Sequence, residues 1–173
     1  MPNWCENIVD ITFKDFESYK SCLDALDNQD GNKGFLSWIL PEPEYKESDE
    51  KGSLPEWYSW RTEHWGCKWE VDAIIVYQHE IDLKLTLSFN SPWSPPIEAY
   101  EVLEERVASV RGWYCEIGMM FCGVFSNGVD SSYSIPDDPD TAEDLIPMSI
   151  LDMFDIIGML ESWKEESDLL QEA

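Results

Sequence analysis

The sequence predicts an α+β fold, one antiparallel sheet with helices packed on it, and three observations carry that reading. Residues 83–89 alternate strictly, with Leu83, Leu85, Leu87 and Phe89 set against Lys84, Thr86 and Ser88. This is the period-2 pattern of a strand with one buried face. Residues 15–27 and 96–108 instead space their apolar side chains by three and four, which draws a stripe along a helix. The dipeptide Asn127-Gly128 falls between two strand-like runs, and its tolerance of positive φ suits a two-residue hairpin turn.

In chain order, Val9, Ile11 and Phe13 alternate with Asp10 and Thr12 as a half-buried strand. Phe16, Tyr19, Leu23 and Leu26 share a face of the first helix, which the polar run 28–34 ends. Phe35 to Leu40 is a short apolar stretch stopped by Pro41 and Pro43, and the acidic insertion 44–52 reads as an exposed loop. A strand over 69–77 places Val71, Ala73, Ile75 and Tyr77 on one face, and a turn at 78–80 leads into the strand at 83–89. Pro96 opens the second helix, because its fixed φ suits a first turn and its missing N–H loses nothing there. Ile97, Tyr100, Leu103 and Val107 supply that helix's stripe. Strands over 113–119, 121–125 and 129–135 follow, then an acidic break at 136–140. A final helix over 147–170 carries Ile150, Phe154, Ile157, Leu160 and Trp163 on one face. The order β-α-β-β-α-β predicts a ferredoxin-like antiparallel sheet, extended by a hairpin strand and a C-terminal helix. Residues 1–126 hold the ferredoxin-like unit, and 127–173 add the hairpin strand and an acidic helical extension packed on it.

Charge is the outlier in the composition. Thirty-six acidic residues face 11 basic ones, for a net charge of −25, while 43% hydrophobic content is ordinary for a folded chain. Such a field repels nucleic-acid phosphates and anionic lipid, which are bound by neutralising them with Lys and Arg. It favours a partner with a basic surface, including a protein surface that normally holds DNA. The opening MPNWCENIVD has neither the basic nor the apolar segment of a secretory signal. The apolar run 150–160 is short and interrupted by Asp152 and Asp155. Five cysteines with no paired spacing read as reduced thiols. A cytoplasmic protein is the expectation.

The segment 57–70, WYSWRTEHWGCKWE, packs four tryptophans beside Glu63, His64, Lys68 and Glu70. A carboxylate and an imidazole do general acid–base work when both reach one substrate. The competing reading is structural, with tryptophans filling a core layer and the charged groups tied down around them. Trp4, Trp65, Trp69 and Trp93, with Asn3, Glu63, His64 and Lys68, are also candidates to wall a ligand pocket where aromatics stack on a nucleobase. No CxxC, HxxH or HExxH spacing, phosphate-cradling glycine loop or nucleophile elbow is present. The expectation is therefore no metal, no cofactor and no catalytic set. Residues 137–173 hold 12 acidic side chains and a single lysine, Lys164. Asp137, Asp138, Asp140, Glu143, Asp144, Asp152, Asp155, Glu161, Glu165, Glu166 and Asp168 form the candidate partner-binding surface.

Five short motifs line up in order: Pro2-Asn3-Trp4, Ile39-Leu40-Pro41-Glu42-Pro43, Trp65-Gly66-Cys67-Lys68-Trp69, Trp93-Ser94-Pro95-Pro96, and a glycine-bearing segment from Gly118 to Gly123. Together they resemble the phage- and plasmid-borne family of unknown function described as YubB ferredoxin-like, over residues 1–126. Cys67 stands where that family usually has threonine, and Pro92 where it usually has alanine. The resemblance implies the ferredoxin-like fold and an origin in a mobile element, and it implies no activity. Joined to the acidity, it leads to a non-enzymatic accessory protein that inhibits a host defence or nucleic-acid-processing system by protein–protein contact. DNA mimicry through the acidic surface would be the mechanism, and the host cytoplasm the site of action. The alternative is a nucleotide binder or hydrolase built on the tryptophan-rich segment. Homo-oligomerisation stays open.

Overall fold

The computed structural model describes residues 3–31, 33–45 and 54–171. These residues form strands β1 (Trp4–Thr12), β2 (Ile74–His79), β3 (Lys84–Pro92), β4 (Ser109–Glu116), β5 (Phe121–Ser126) and β6 (Val129–Ser134). The helices are α1 (Phe16–Asp27), α2 (Phe35–Ile39), α3 (Glu56–His64), α4 (Ile97–Arg106), α5 (Pro139–Leu145), α6 (Met148–Met153) and α7 (Ile156–Gln171). The strands build a single six-stranded sheet in the order β2-β3-β1-β4-β5-β6, and every neighbouring pair is antiparallel. The fold is thus α+β around one antiparallel sheet. Among the described residues no helix is long and apolar enough to cross a membrane.

β1 begins at Trp4, well before the alternation expected from Val9. Its inward positions include Asn7, which is fully buried. A polar residue at an inward position breaks the apolar pattern and hides the first half of the strand from a hydrophobicity reading. α1 starts at a carboxylate cap, with Ser18 N donating to Asp15 Oδ1 at 2.8 Å. Its buried stripe is Tyr19, Cys22 and Leu26, whereas Phe16 lies outside it. Val71 and Ala73 are buried as expected but precede β2, which is an edge strand with a register shift between Ile75 and Tyr77. The bulge twists an otherwise pairable apolar edge, a common protection against edge-to-edge association. Asn127 and Gly128 take φ of 53° and 69° and close the β5–β6 hairpin. Residues 46–52 of the expected acidic loop lie outside the described residues.

Two cores sandwich the sheet. On one face Val9, Ile11, Leu85, Leu87 and Phe125 pack with Tyr19 of α1, Phe35 and Leu36 of α2, and Tyr100 and Leu103 of α4. On the other, Trp113, Cys115 and Cys122 pack under Ala142, Ile146, Ile150, Leu151, Ile156 and Leu160. The single helix expected over 147–170 is in fact two, α6 and α7, and a further helix, α5, precedes them. α5 begins inside the expected acidic break because Asp138 caps it, accepting from the Thr141 amide at 3.0 Å and hydroxyl at 2.9 Å. Pro147 opens α6, and Asp155, at φ 48°, sits in the break before α7. The breaks turn Leu151 and Ile156 inward and leave Trp163 exposed, so the buried stripe differs from a continuous helix's.

Candidate functional site

The tryptophan-rich segment folds as α3, a left-handed step at Gly66 and an extended approach to β2. Arg61 is its anchor. Its Nε and Nη2 each donate to a Glu42 carboxylate oxygen at 2.6 Å, and its guanidinium lies over Trp57 (5.3 Å) and Trp65 (5.0 Å). A planar fork matched to a carboxylate between two indoles is a site for Arg rather than Lys. The bond to Glu42 raises the Arg61 pKa further. Tyr45 donates to the same carboxylate, and burial together with that carboxylate pushes its phenol up to about 12. Trp65 is fully buried and its Nε1 donates to Leu40 O at 2.9 Å, so it presents no face to a ligand. Gly66 has φ 83°, and a Cβ there would run into the Glu98 carboxylate.

Glu63, His64 and Lys68 are not brought into one constellation: no hydrogen bond or ion pair links them among the described residues. Glu63 is exposed. His64 stacks on Trp60 with ring centroids 4.5 Å apart, and its Nδ1 lies 2.9 Å from Trp60 O. Lys68 lays its ammonium over Trp69 (4.5 Å), Trp93 (5.3 Å) and Tyr58 (5.5 Å).

Trp4, Trp69 and Trp93 do come together, in a row with centroid separations of 6.4 and 6.3 Å. Trp4 and Trp93 keep 50% and 41% of their surface exposed. Trp93 sits at φ 67°, a conformation that costs a bulky residue on the order of 1–2 kcal/mol. Asn3 helps hold it there, because Trp93 N donates to Asn3 O at 2.9 Å. Below the row, Asn7 Nδ2 donates to Ser91 Oγ (2.9 Å), Tyr100 OH donates to Asn7 Oδ1 (3.1 Å), Ser91 Oγ donates to Ser94 O (2.7 Å) and Ser94 Oγ donates to Gly66 O (2.8 Å). This chain of bonds ties the loop after β3 to the tryptophan segment. Glu70 holds the other side, accepting from Leu36 N and Ser37 N at 2.8 Å each, at the start of α2.

Sequence reasoning gave no role to Asn7, Glu42 or Ser91, and it placed Glu70 beside the tryptophans without its partners on α2. Only Asn7 left a signal, a polar residue at an inward position of a strand. Burial raises the thiols: Cys67 and Cys22 to about 12, Cys115 to about 12 and Cys122 to about 11. None of them is an activated nucleophile.

The acidic candidates behave differently, since all of those described face solvent. Asp137, Asp138, Asp140, Glu143, Asp144, Asp152, Asp155, Glu161, Glu165 and Glu166 are exposed on or beside α5, α6 and α7. The Asp168 side chain lies outside the described residues. Hydrogen bonds from Thr141, helped by Lys164, hold the Asp138 carboxyl below its usual range. Lys164 Nζ lies 3.8 Å from Asp138 Oδ1 and links α7 to the start of α5. The same layer exposes Leu145, Met148, Met153 and Trp163.

Comparison with known proteins adds one relative. The chain is similar to Uncharacterized protein YubB of Escherichia coli (strain K12), with 31% identity over 72 residues, which are 40% of this chain and 50% of the relative. It therefore spans about half the length of that relative. No protein-family model matches the chain, and no solved structure matches it.

Proposed function

We propose that the protein works by binding, using the α5–α7 layer to occupy a basic surface on a partner protein that otherwise holds nucleic acid. One observation carries this reading. Ten exposed carboxylates share the layer with a single lysine, and that lysine is turned onto one of them. Exposed acids alone keep a protein soluble. Exposed Trp163, Met148 and Leu145 among them add the aromatic and apolar anchors that binding surfaces use. Opposite charge would steer the encounter and make it sensitive to salt.

The sheet order β2-β3-β1-β4, with α1 and α4 on one face, supports reading the first four strands as a ferredoxin-like unit. The similarity to the E. coli protein over 72 residues supports a place in the YubB ferredoxin-like family. On that reading the chain is an accessory protein of a mobile element, and the partner belongs to a host defence or nucleic-acid-processing system in the cytoplasm. The tryptophan row is then a structural clamp. A co-purification from host lysate at low and high salt tests the reading. A salt-labile nuclease, helicase or polymerase supports it, and a co-purified nucleotide with no protein partner opposes it.

A further inference from the structure

A second surface of different character lies on the sheet, on the side of α5–α7 but beyond the core beneath them. In β1, Ile8 packs against that core. Asp10 and Thr12 share its side of the strand but lie further along, past the core's edge. The strand registers set two cross-strand rows there, Thr86–Asp10–Arg111–Ser126 and Lys84–Thr12–Ser109. These rows line a hollow of about 370 Å³, with Tyr77 at one end. That volume is within the range of small-molecule sites.

The lining carries two cations and one carboxylate, whereas the chain as a whole has 36 acids for 11 bases. Lys84 and Arg111 form no ion pair among the described residues. Asp10 stands directly opposite Arg111 in the β1–β4 register, yet its carboxylate accepts the Thr86 hydroxyl at 2.7 Å. Arg111 instead sends Nε toward Ser126 Oγ at 3.5 Å, with its guanidinium over Trp113 at 5.6 Å.

We propose that this hollow binds the phosphoryl group of a small hydroxylated phosphomonoester. A guanidinium, an ammonium and the hydroxyls of Thr12, Ser109 and Ser126 are donors grouped for a tetrahedral oxyanion with several acceptor oxygens. Asp10 is the one anionic acceptor, suited to a ligand hydroxyl, and Tyr77 supplies an aromatic wall. Among the described residues no other carboxylate lines the hollow, and salt screens charges more than roughly 8 Å away at physiological ionic strength. The site is independent of the acidic layer, and either stands if the other fails.

Isotope-labelled protein titrated with inorganic phosphate, AMP and glucose 6-phosphate at fixed ionic strength tests it. The expected result is saturable amide shifts at Asp10, Lys84 and Arg111. Lys84→Gln and Arg111→Gln should each weaken binding roughly tenfold while leaving the urea midpoint in place. Tighter binding of AMP assigns the site to nucleotides, and tighter binding of glucose 6-phosphate assigns it to sugar phosphates. The proposal is overturned if no shift saturates, if sodium chloride at matched ionic strength gives the same shifts, or if both variants bind like the parent.

Discussion

Arg61 and Glu42 meet through two parallel hydrogen bonds of 2.6 Å, with the guanidinium over Trp57 and Trp65. The pair is largely shielded, with side-chain exposures of 11% and 18%. It fastens α3 to the segment that ends at Pro43. Replacing one partner leaves the other charge buried without its match. Glu42→Gln should therefore cost about 1–3 kcal/mol, the range for a charged hydrogen bond. Urea unfolding with an unchanged m-value measures it. A variant as stable as the parent would mean that the clamp contributes nothing.

Gly66 and Gly31 share φ 83° but differ in surroundings. A Cβ at Gly31 meets nothing within 4 Å, whereas at Gly66 it meets the Glu98 carboxylate and lies 3.2 Å from Ile97 N. Gly31→Ala should cost about 1–2 kcal/mol for the left-handed backbone alone. Gly66→Ala should cost that and more, because the start of α4 must shift. Equal losses in chemical denaturation would show that the loop and α4 yield freely.

How far the sequence reveals this molecule depends on how local each signal is. The alternation at 83–89 and the Asn127-Gly128 turn are local, and the structure has the turn and a strand from Lys84, with Leu83 at φ 52° in the turn before it. The break at Asp155 was not legible. Its apolar neighbours continue a helical spacing, and only packing against Trp113 and Cys122 favours two helices over one. At the tryptophan segment the density of indoles announces a packed knot, but Glu42 lies across an insertion and Glu70 acts on a distant helix. The exposure of the acidic residues was legible from composition. The hollow beside Arg111 was not, since strand register alone brings Asp10, Lys84 and Arg111 to one place.

Stability should fall in alkali. A thiol near 9 in the unfolded chain and near 12 when folded, as for Cys67 and Cys22, binds its proton more tightly in the native state. Its contribution is complete below pH 9 and is lost as pH rises toward 12. Each such thiol lowers unfolding free energy by about 1.4 kcal/mol per pH unit inside that window. Cys67→Ala should remove one such increment of slope between pH 9.5 and 10.5, read from urea midpoints. Parallel curves for parent and variant would refute the assignment.

Lys164 is the one cation described in the helical layer, and it lies 3.8 Å from Asp138. If the layer docks on a basic surface, Lys164→Glu should speed association at low salt, by roughly twofold or more. The gain should vanish near 0.5 M salt, where the Debye length is only a few ångströms. Surface plasmon resonance against the captured partner reads this directly. A slower association at low salt would place the contact elsewhere.

The most direct test of the acidic-layer account compares capture by three forms of the protein: the parent, a Glu161→Lys/Glu165→Lys/Glu166→Lys variant, and a Glu63→Ala/His64→Ala/Lys68→Ala variant. All three should fold with matching circular dichroism. The account predicts that the parent and the tryptophan-segment variant retain the same basic partner, that duplex DNA competes it off, and that the charge-reversed variant loses it. Retention by the charge-reversed variant, together with loss from the tryptophan-segment variant, would contradict it.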